Sequence, residues 1–271
     1  MKRIVLFVLC ALALCSCNAR KNLVILHVND THSHFEALRG DSLAGHGGCI
    51  ERAAYVDSVR RAEGEDNVLL LHAGDFSQGS SYFTIFGGNL EIDVLNSMKY
   101  DCVTLGNHEF DNGIEDLTER LTRLQCPAVC CNLDFSAFEL GDVVKPYTII
   151  ERGGKKIGII GVITDISSVV SKTISSRIQQ LDPVVEVNKW ADILHNDQKC
   201  DIIILLSHMG YRNDQEFIPQ SRFIDLVIGG HSHTEVDDFV WVKDADGKKV
   251  PIIQDGEFGK CVGKVTVSGG C

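Results

Sequence analysis

The chain has 271 residues, with 37 acidic against 26 basic side chains and a formal net charge of −11. Hydrophobic residues make up 44% and charged residues 23%, which excludes a disordered or collagenous chain. The acidic balance argues against a nucleic acid polymer as partner, because nothing would neutralise its phosphates, and eleven cysteines are too sparse for a disulfide-built miniprotein.

The chain opens with a segment that is not part of the fold. Lys2 and Arg3 precede the apolar run Ile4–Leu14, which is too short to span a bilayer and has the length of a secretory signal. The run ends in Leu14-Cys15-Ser16-Cys17, which resembles the bacterial lipobox. The expectation is a signal peptide over residues 1–16, a lipidated Cys17 with a short tether to residue 21, and a folded domain over residues 22–271. Such a chain would sit at the bacterial cell envelope, periplasmic or surface-exposed, tethered by an acyl anchor. Cleavage removes Cys10 and Cys15 and lipidation uses Cys17, which explains the odd cysteine count. Of the remainder, Cys102, Cys130, Cys200 and Cys261 lie at or near apolar strands and are expected to pack as small hydrophobes.

From residue 22 onward, short apolar runs alternate with amphipathic stretches, the pattern of an α/β sandwich. Leu23–Val28, Val68–Leu71, Cys102–Leu105, Ile157–Val162, Ile202–Leu206 and Leu226–Ile228 read as buried strands. Between them Ile50–Arg61, Asn89–Met98, Ile114–Leu124 and Pro183–Asn196 carry helical spacing, with Asp182 as a cap before Pro183. After Thr234 the segments Phe239–Lys243, Val250–Gln254 and Cys261–Val267 read as antiparallel strands closing a sheet edge.

The residues just beyond the strands carry the chemistry. The runs lead into Asn29-Asp30-Thr31-His32, His72-Ala73-Gly74-Asp75, Gly106-Asn107-His108-Glu109-Phe110-Asp111, Ser207-His208 and Gly229-Gly230-His231-Ser232-His233. In α/β sheets the carboxyl ends of strands are where sites assemble. Asp30 and His32, like His231 and His233, are two apart, so extended backbone would turn both members the same way. Imidazole with carboxylate suits zinc, manganese or iron, and seven candidate donors at these strand ends are a good number for two ions sharing a carboxylate. His27, His34, His46, His72 and His195 read as ordinary core or surface residues. Asp111 could equally cap the helical stretch beginning at Ile114.

At this point the sequence resembles a known family. Asp30-x-His32, Gly74-Asp75, Gly106-Asn107-His108-Glu109, His208 and Gly230-His231-Ser232-His233 occur in the order typical of calcineurin-like metallophosphoesterases. Leu26–His32, Gly74-Asp75-x-x-Gln78-Gly79-Ser80 and Tyr100–Asp111 look like the 5′-nucleotidase branch. The resemblance implies a four-layer α/β/β/α sandwich and two divalent metal ions, zinc or manganese. It places Asp30, His32 and His233 on one ion, Asn107, His208 and His231 on the other, with Asp75 bridging, and makes His108 and Asp111 the catalytic dyad. The implied reaction is hydrolysis of a phosphate monoester, most simply a 5′-nucleotide, by a water or hydroxide held between the metals. A phosphodiesterase or nucleotide-sugar hydrolase is the alternative reading within enzymes, and a metal-dependent binding or scaffold subunit the alternative outside them. Members usually carry a second domain that selects the substrate, so the alternatives are a stand-alone phosphoesterase of broad specificity, a catalytic subunit whose substrate domain is a separate chain, or a piece of a longer chain. A separate chain is the expected partner, with loops Gln78–Phe86 and Ser167–Gln180 contributing to substrate selection.

Overall fold

The computed structural model describes residues 22–40 and 44–268; the signal segment, Cys17 and Cys271 lie outside the described residues. In chain order the strands are β1 (Leu23–Val28), β2 (Val68–His72), β3 (Cys102–Thr104), β4 (Ala128–Val129) and β5 (Leu133–Asp134). They continue as β6 (Val144–Lys145), β7 (Tyr147–Arg152), β8 (Lys155–Ile163), β9 (Gln179–Gln180) and β10 (Ile202–His208). The last are β11 (Leu226–Ile228), β12 (Val240–Lys243), β13 (Lys249–Ile253) and β14 (Gly263–Val267).

Two six-stranded sheets result, in the orders β14-β1-β2-β3-β4-β6 and β12-β13-β11-β10-β8-β7, with β5 and β9 forming a small separate pair. The strands β1 to β4 and β6 pair in parallel, as do β8, β10, β11 and β13. Parallel strands covered on both faces need continuous apolar sequence, and all six residues of β1 are buried.

Side-chain alternation divides the interior into three layers of contact. Leu23 and Ile25 of β1 and Leu69 and Leu71 of β2 pack against Ile157 and Ile159 of β8 and Ile202, Ile204 and Leu206 of β10. The opposite face of the first sheet, with Val24, Leu26, Val68 and Leu70, meets Val56, Ile92, Leu95, Leu117 and Leu121 on the helices Cys49–Glu63, Asn89–Ser97 and Ile114–Thr122. The outer face of the second sheet, with Ile160, Val162, Ile203 and Leu205, meets Val187 and Ala191 of the helix Pro183–Asp192 and Phe217 of the helix Tyr211–Phe217. The arrangement is the expected four-layer α/β/β/α sandwich. Each such fully buried side chain contributes roughly 1.5–3 kcal/mol of burial. The two sheets approach closely at Gly161 of β8, where an added Cβ would collide with the Val129 carbonyl oxygen.

Asp182 caps its helix as expected, accepting from the amides of Val184 and Val185 at 2.8 and 3.1 Å. That helix is shorter than the spacing implies, because its last turn widens into a π-helix over Ile193–Asp197. The C-terminal segments depart from expectation. β12 and β13 are antiparallel, but β13 runs parallel to β11, and β14 instead joins the other sheet antiparallel to β1. They therefore extend two different sheet edges rather than one. The helices Ser81–Phe86 and Tyr211–Phe217 have no counterpart among the helical stretches expected from spacing; each is too short to show helical periodicity.

The described cysteines are all free thiols. Cys102 and Cys130 pack in the interior as expected, whereas Cys200 is half-buried and Cys261 exposed; the strand beyond Cys261 begins only at Gly263. Among the described residues no helix is long and apolar enough to cross a membrane.

Candidate metal centre

The five chemical segments converge at the carboxyl ends of β1, β2 and β3 from one sheet and of β10 and β11 from the other. Their side chains do not meet through extended backbone, as the two-residue spacing suggests. Asp30, His32, Asp75, His231 and His233 all have positive φ, between 47° and 77°. Such left-handed geometry costs non-glycine residues roughly 1–3 kcal/mol each and persists where surrounding structure dictates it. Here it folds each strand end back over the sheets. His208 differs from the others in lying within β10 itself. Gly74, at φ +85°, is required at its position, because a Cβ there would come within 2.6 Å of His208 Nδ1.

Asp30, His32 and His233 form a first group of donors, each placing one ligand-type atom within 4.8 Å of the others, and Asp75, His208 and His231 form a second; a third group, His32, Asp75 and His108, links the two. In the first group His32 Nε2 and His233 Nε2 are 3.0 Å apart, with Asp30 Oδ1 at 3.8 and 3.5 Å from them. In the second, Asp75 Oδ2 stands 3.1 Å from His208 Nε2 while remaining 3.9 Å from His32 Nε2 of the first. The carboxylate thus occupies the position between the groups. Asn107 Oδ1 lies 2.9 Å from His231 Nδ1, which brings the amide to the second group.

The remote nitrogens decide which lone pairs face inward. His208 Nδ1 donates to the Ala73 carbonyl at 2.7 Å, which turns Nε2 toward Asp75 Oδ2 at 3.1 Å. His233 Nδ1 is 2.6 Å from Glu257 Oε2. Converging imidazole lone pairs and carboxylates, with outer nitrogens held by acceptors, are the donor chemistry of a divalent-cation site. The residues fit such ions.

The electrostatics of the ion-free arrangement follow from the same contacts. Burial opposes ionisation of Asp75, but the adjacent His208 imidazole, with His32 and His108 beyond it, holds its carboxyl well below the usual range. Burial pushes the His32 and His231 imidazoles down. Cation uptake at these donors would be coupled to proton release.

His108 is the most exposed member of the group it forms with His32 and Asp75, its ring 5.3 Å from that of His32 and its side chain 31% exposed. Its Nδ1 is 2.8 Å from Asp111 Oδ2. The Asp111 hydrogen bond raises the His108 pKa against the opposing effect of burial, and Asp75 adds to the rise. The alternative capping role for Asp111 is not observed, because the helix Ile114–Thr122 has Gly113 at its N-cap and no side-chain cap. Of the histidines read as ordinary, His72 is buried against Thr31 Oγ1 at 3.0 Å and its pKa falls to about 3 by burial. His27 is buried beside Asp255, and His195 stacks on Phe223.

Sequence reasoning assigns no role to Glu109. Its buried carboxylate accepts from the amides of Asp75, Ser77 and Gly106 at 2.8, 3.0 and 2.6 Å. Arg120, also buried, donates to the Glu109 carbonyl at 2.7 Å and to Ser77 Oγ at 3.2 Å. Together they fasten the turn after β2 to the turn after β3. An acidic residue inside a glycine-flanked histidine motif is the signal that could have marked it.

With this geometry in place, the similarities to known proteins are specific. The calcineurin-like phosphoesterase pattern matches residues 23–235. Over 268 residues the chain is 34% identical to a probable 5′-nucleotidase of Treponema pallidum (strain Nichols), covering 90% of this chain and 44% of that protein. A 5′-nucleotidase precursor from Thermus thermophilus superposes with a TM-score of 0.83 at 31% identity, covering 90% of this chain and 51% of that one. The NAD nucleotidase of Haemophilus influenzae gives 0.80 at 32% identity, covering 90% and 47% respectively. The chain spans about half the length of these relatives. On its sequence, its four-layer fold and the residues at its strand ends, it belongs to the calcineurin-like phosphoesterases.

Proposed function

We propose that the chain is a two-metal phosphoesterase that hydrolyses phosphate monoesters, with 5′-nucleotides as the substrate class. The observation that carries this reading is the convergence of three His/Asp donor groups linked through His32 and Asp75, with His108 of the linking group paired to Asp111. The 5′-nucleotidases among its relatives support the substrate class.

In this reading Asp30, His32, Asp75 and His233 hold one divalent ion, and Asp75, Asn107, His208 and His231 the other. Zinc or manganese suits the mixed nitrogen and oxygen donors. Bound there, the ions supply a nucleophile near neutral pH and offset charge on the phosphoryl oxygens. The chain's own groups do the remaining work. Asp75 is held by the His108 amide, which donates to its Oδ1 at 2.9 Å, so the bridging carboxylate and the catalytic imidazole keep a fixed spacing. His108, kept cationic by Asp111, offers its Nε2 proton to the leaving alkoxide or to the transition-state oxygens.

The relatives' greater length supports a further part of the proposal: base selection rests outside residues 22–268, in a domain that can be supplied by a separate chain. Lipid anchoring at Cys17, with the catalytic domain tethered at the cell envelope, is proposed on the sequence of the first 17 residues.

The test is hydrolysis by the chelator-treated chain after zinc, manganese or cobalt is restored, across nucleoside monophosphates, cyclic nucleotides and nucleotide sugars. Monoester turnover that depends on added metal is the expected result. Turnover confined to the cyclic nucleotides and nucleotide sugars favours the second reading, which the likeness to an NAD nucleotidase supports. Silence on every ester with ions bound would refute catalysis in favour of a binding role.

A further inference from the structure

The loop after β13 approaches the metal centre from a part of the chain outside the segments already described, and it is tied there at several points. Asn29 clamps it with both ends of its amide: Nδ2 donates to the Gly256 carbonyl at 2.6 Å, and Oδ1 accepts from the Asp255 amide at 2.9 Å. The Phe258 amide donates to the Asp30 carbonyl at 2.7 Å, and the Gly256 amide to the Thr234 carbonyl at 3.1 Å. The loop is therefore bonded to the residues beside, or identical with, two members of the first donor group. Phe258 itself adopts φ 58°, packing its ring 4.0 Å from that of His34 and 6.0 Å from that of His32.

Within this fixed loop, Glu257 reaches His233. Its Oε2 lies 2.6 Å from His233 Nδ1, while its Oε1 is 3.6 Å from Lys260 Nζ. His233 Nε2 is the atom that converges on His32 Nε2 and Asp30. A histidine coordinates through a ring nitrogen only if that nitrogen carries no proton, and a carboxylate on the other nitrogen fixes that tautomer, orients the ring and raises its basicity. Of the imidazoles in the two groups, His233 is the most exposed, at 36% of its side chain, and so gains least from packing to hold its orientation.

Resting on the two-metal reading above, we infer that Glu257 is a positioning residue that acts through His233 to set cation affinity in the Asp30–His32–His233 group and not in the Asp75–His208–His231 group. The pairing makes a histidine at position 233 an effective ligand rather than a mobile one. Glu257 touches no substrate in this role.

The test is calorimetric titration of manganese into the chelator-treated full chain, with stability of the metal-free variants measured alongside. Wild type takes up two ions. Glu257→Ala weakens one of the two events by roughly 10- to 100-fold, the usual effect of losing such an outer carboxylate, and leaves the other in place. Glu257→Gln, which keeps an acceptor without the charge, falls between. In a His233→Gln background, Glu257→Ala has no further effect, because the imidazole it served is gone. Unchanged affinity in Glu257→Ala, or an equal loss with and without His233, overturns the inference while leaving the metal reading intact. A wild-type chain that binds no manganese overturns both.

Discussion

Replacing Glu109 tests whether a single buried carboxylate sets the geometry of the metal centre. Three backbone amides converge on it: Asp75 and Gly106 on Oε2, and Ser77 on Oε1. Burial, with the neighbouring Asp75 charge, raises its pKa, so keeping it ionised carries a cost that offsets part of what its hydrogen bonds contribute. A neutral replacement removes that cost, which would obscure the hydrogen bonds in any single variant. Comparing two neutral variants of similar volume isolates them. Glu109→Gln can place its oxygen where Oε2 lies and retain two acceptor contacts. Glu109→Met fills the space and retains none, leaving two more buried amides unpaired at about 1–3 kcal/mol each. The methionine variant should therefore be less stable than the glutamine variant by roughly 2–6 kcal/mol. Urea denaturation of the metal-free chains at one pH measures the difference directly. Its manganese affinity should also fall, since Asp75 and Asn107 lose their common tether. If the two variants agree to within about 0.5 kcal/mol, a margin smaller than a single net hydrogen bond, Glu109 does not hold these turns together.

Two further outcomes are expected. His108→Ala should keep metal, because the Asp30–His32–His233 and Asp75–His208–His231 groups stay complete without it, yet lose most turnover, on the order of 10²–10⁴-fold for a missing proton donor; Asp75→Ala should lose metal as well. Metal content by elemental analysis, set beside the hydrolysis rate, separates the two, and unchanged turnover in His108→Ala would sink the dyad assignment. Asp214 predicts a pH dependence of stability: it is buried, with its Oδ1 accepting from Ser207 Oγ at 2.5 Å, and burial outweighs that bond and raises its pKa from 3.8 to about 7. Because the folded state holds this proton more tightly than the unfolded chain, stability should fall as pH rises from about 4 to 7. Asp214→Asn should flatten that part of the urea-midpoint profile; an unaltered slope would rule Asp214 out as a source.

The amino-acid sequence by itself determined the fold class and the segments that carry the candidate site. Hydrophobic runs such as Leu23–Val28 and Ile202–Leu206 suit parallel strands covered on both faces, and polar residues placed immediately after such runs gather at one end of the sheets. That logic pointed to the strand-end segments, and the family resemblance named the seven candidate ligands and the His108–Asp111 pair within them. Tertiary structure decided what depends on separations no local pattern encodes. The left-handed turns at Asp30, His32, His231 and His233 replaced the extended geometry that a two-residue spacing suggests, because the backbone there is held by bonds to the neighbouring strand ends, such as the Asp30 amide to the Gly74 carbonyl at 3.0 Å. The splitting of β12, β13 and β14 between two sheets followed from which edge each could reach, not from their alternation. Glu109 and Glu257 gained their roles only when residues far apart in the chain came within hydrogen-bonding distance: Glu109 with the turn after β2, and Glu257 with His233. A sequence specifies which side chains can bind an ion; the packing of two sheets specifies which backbone amides and carboxylates hold them still.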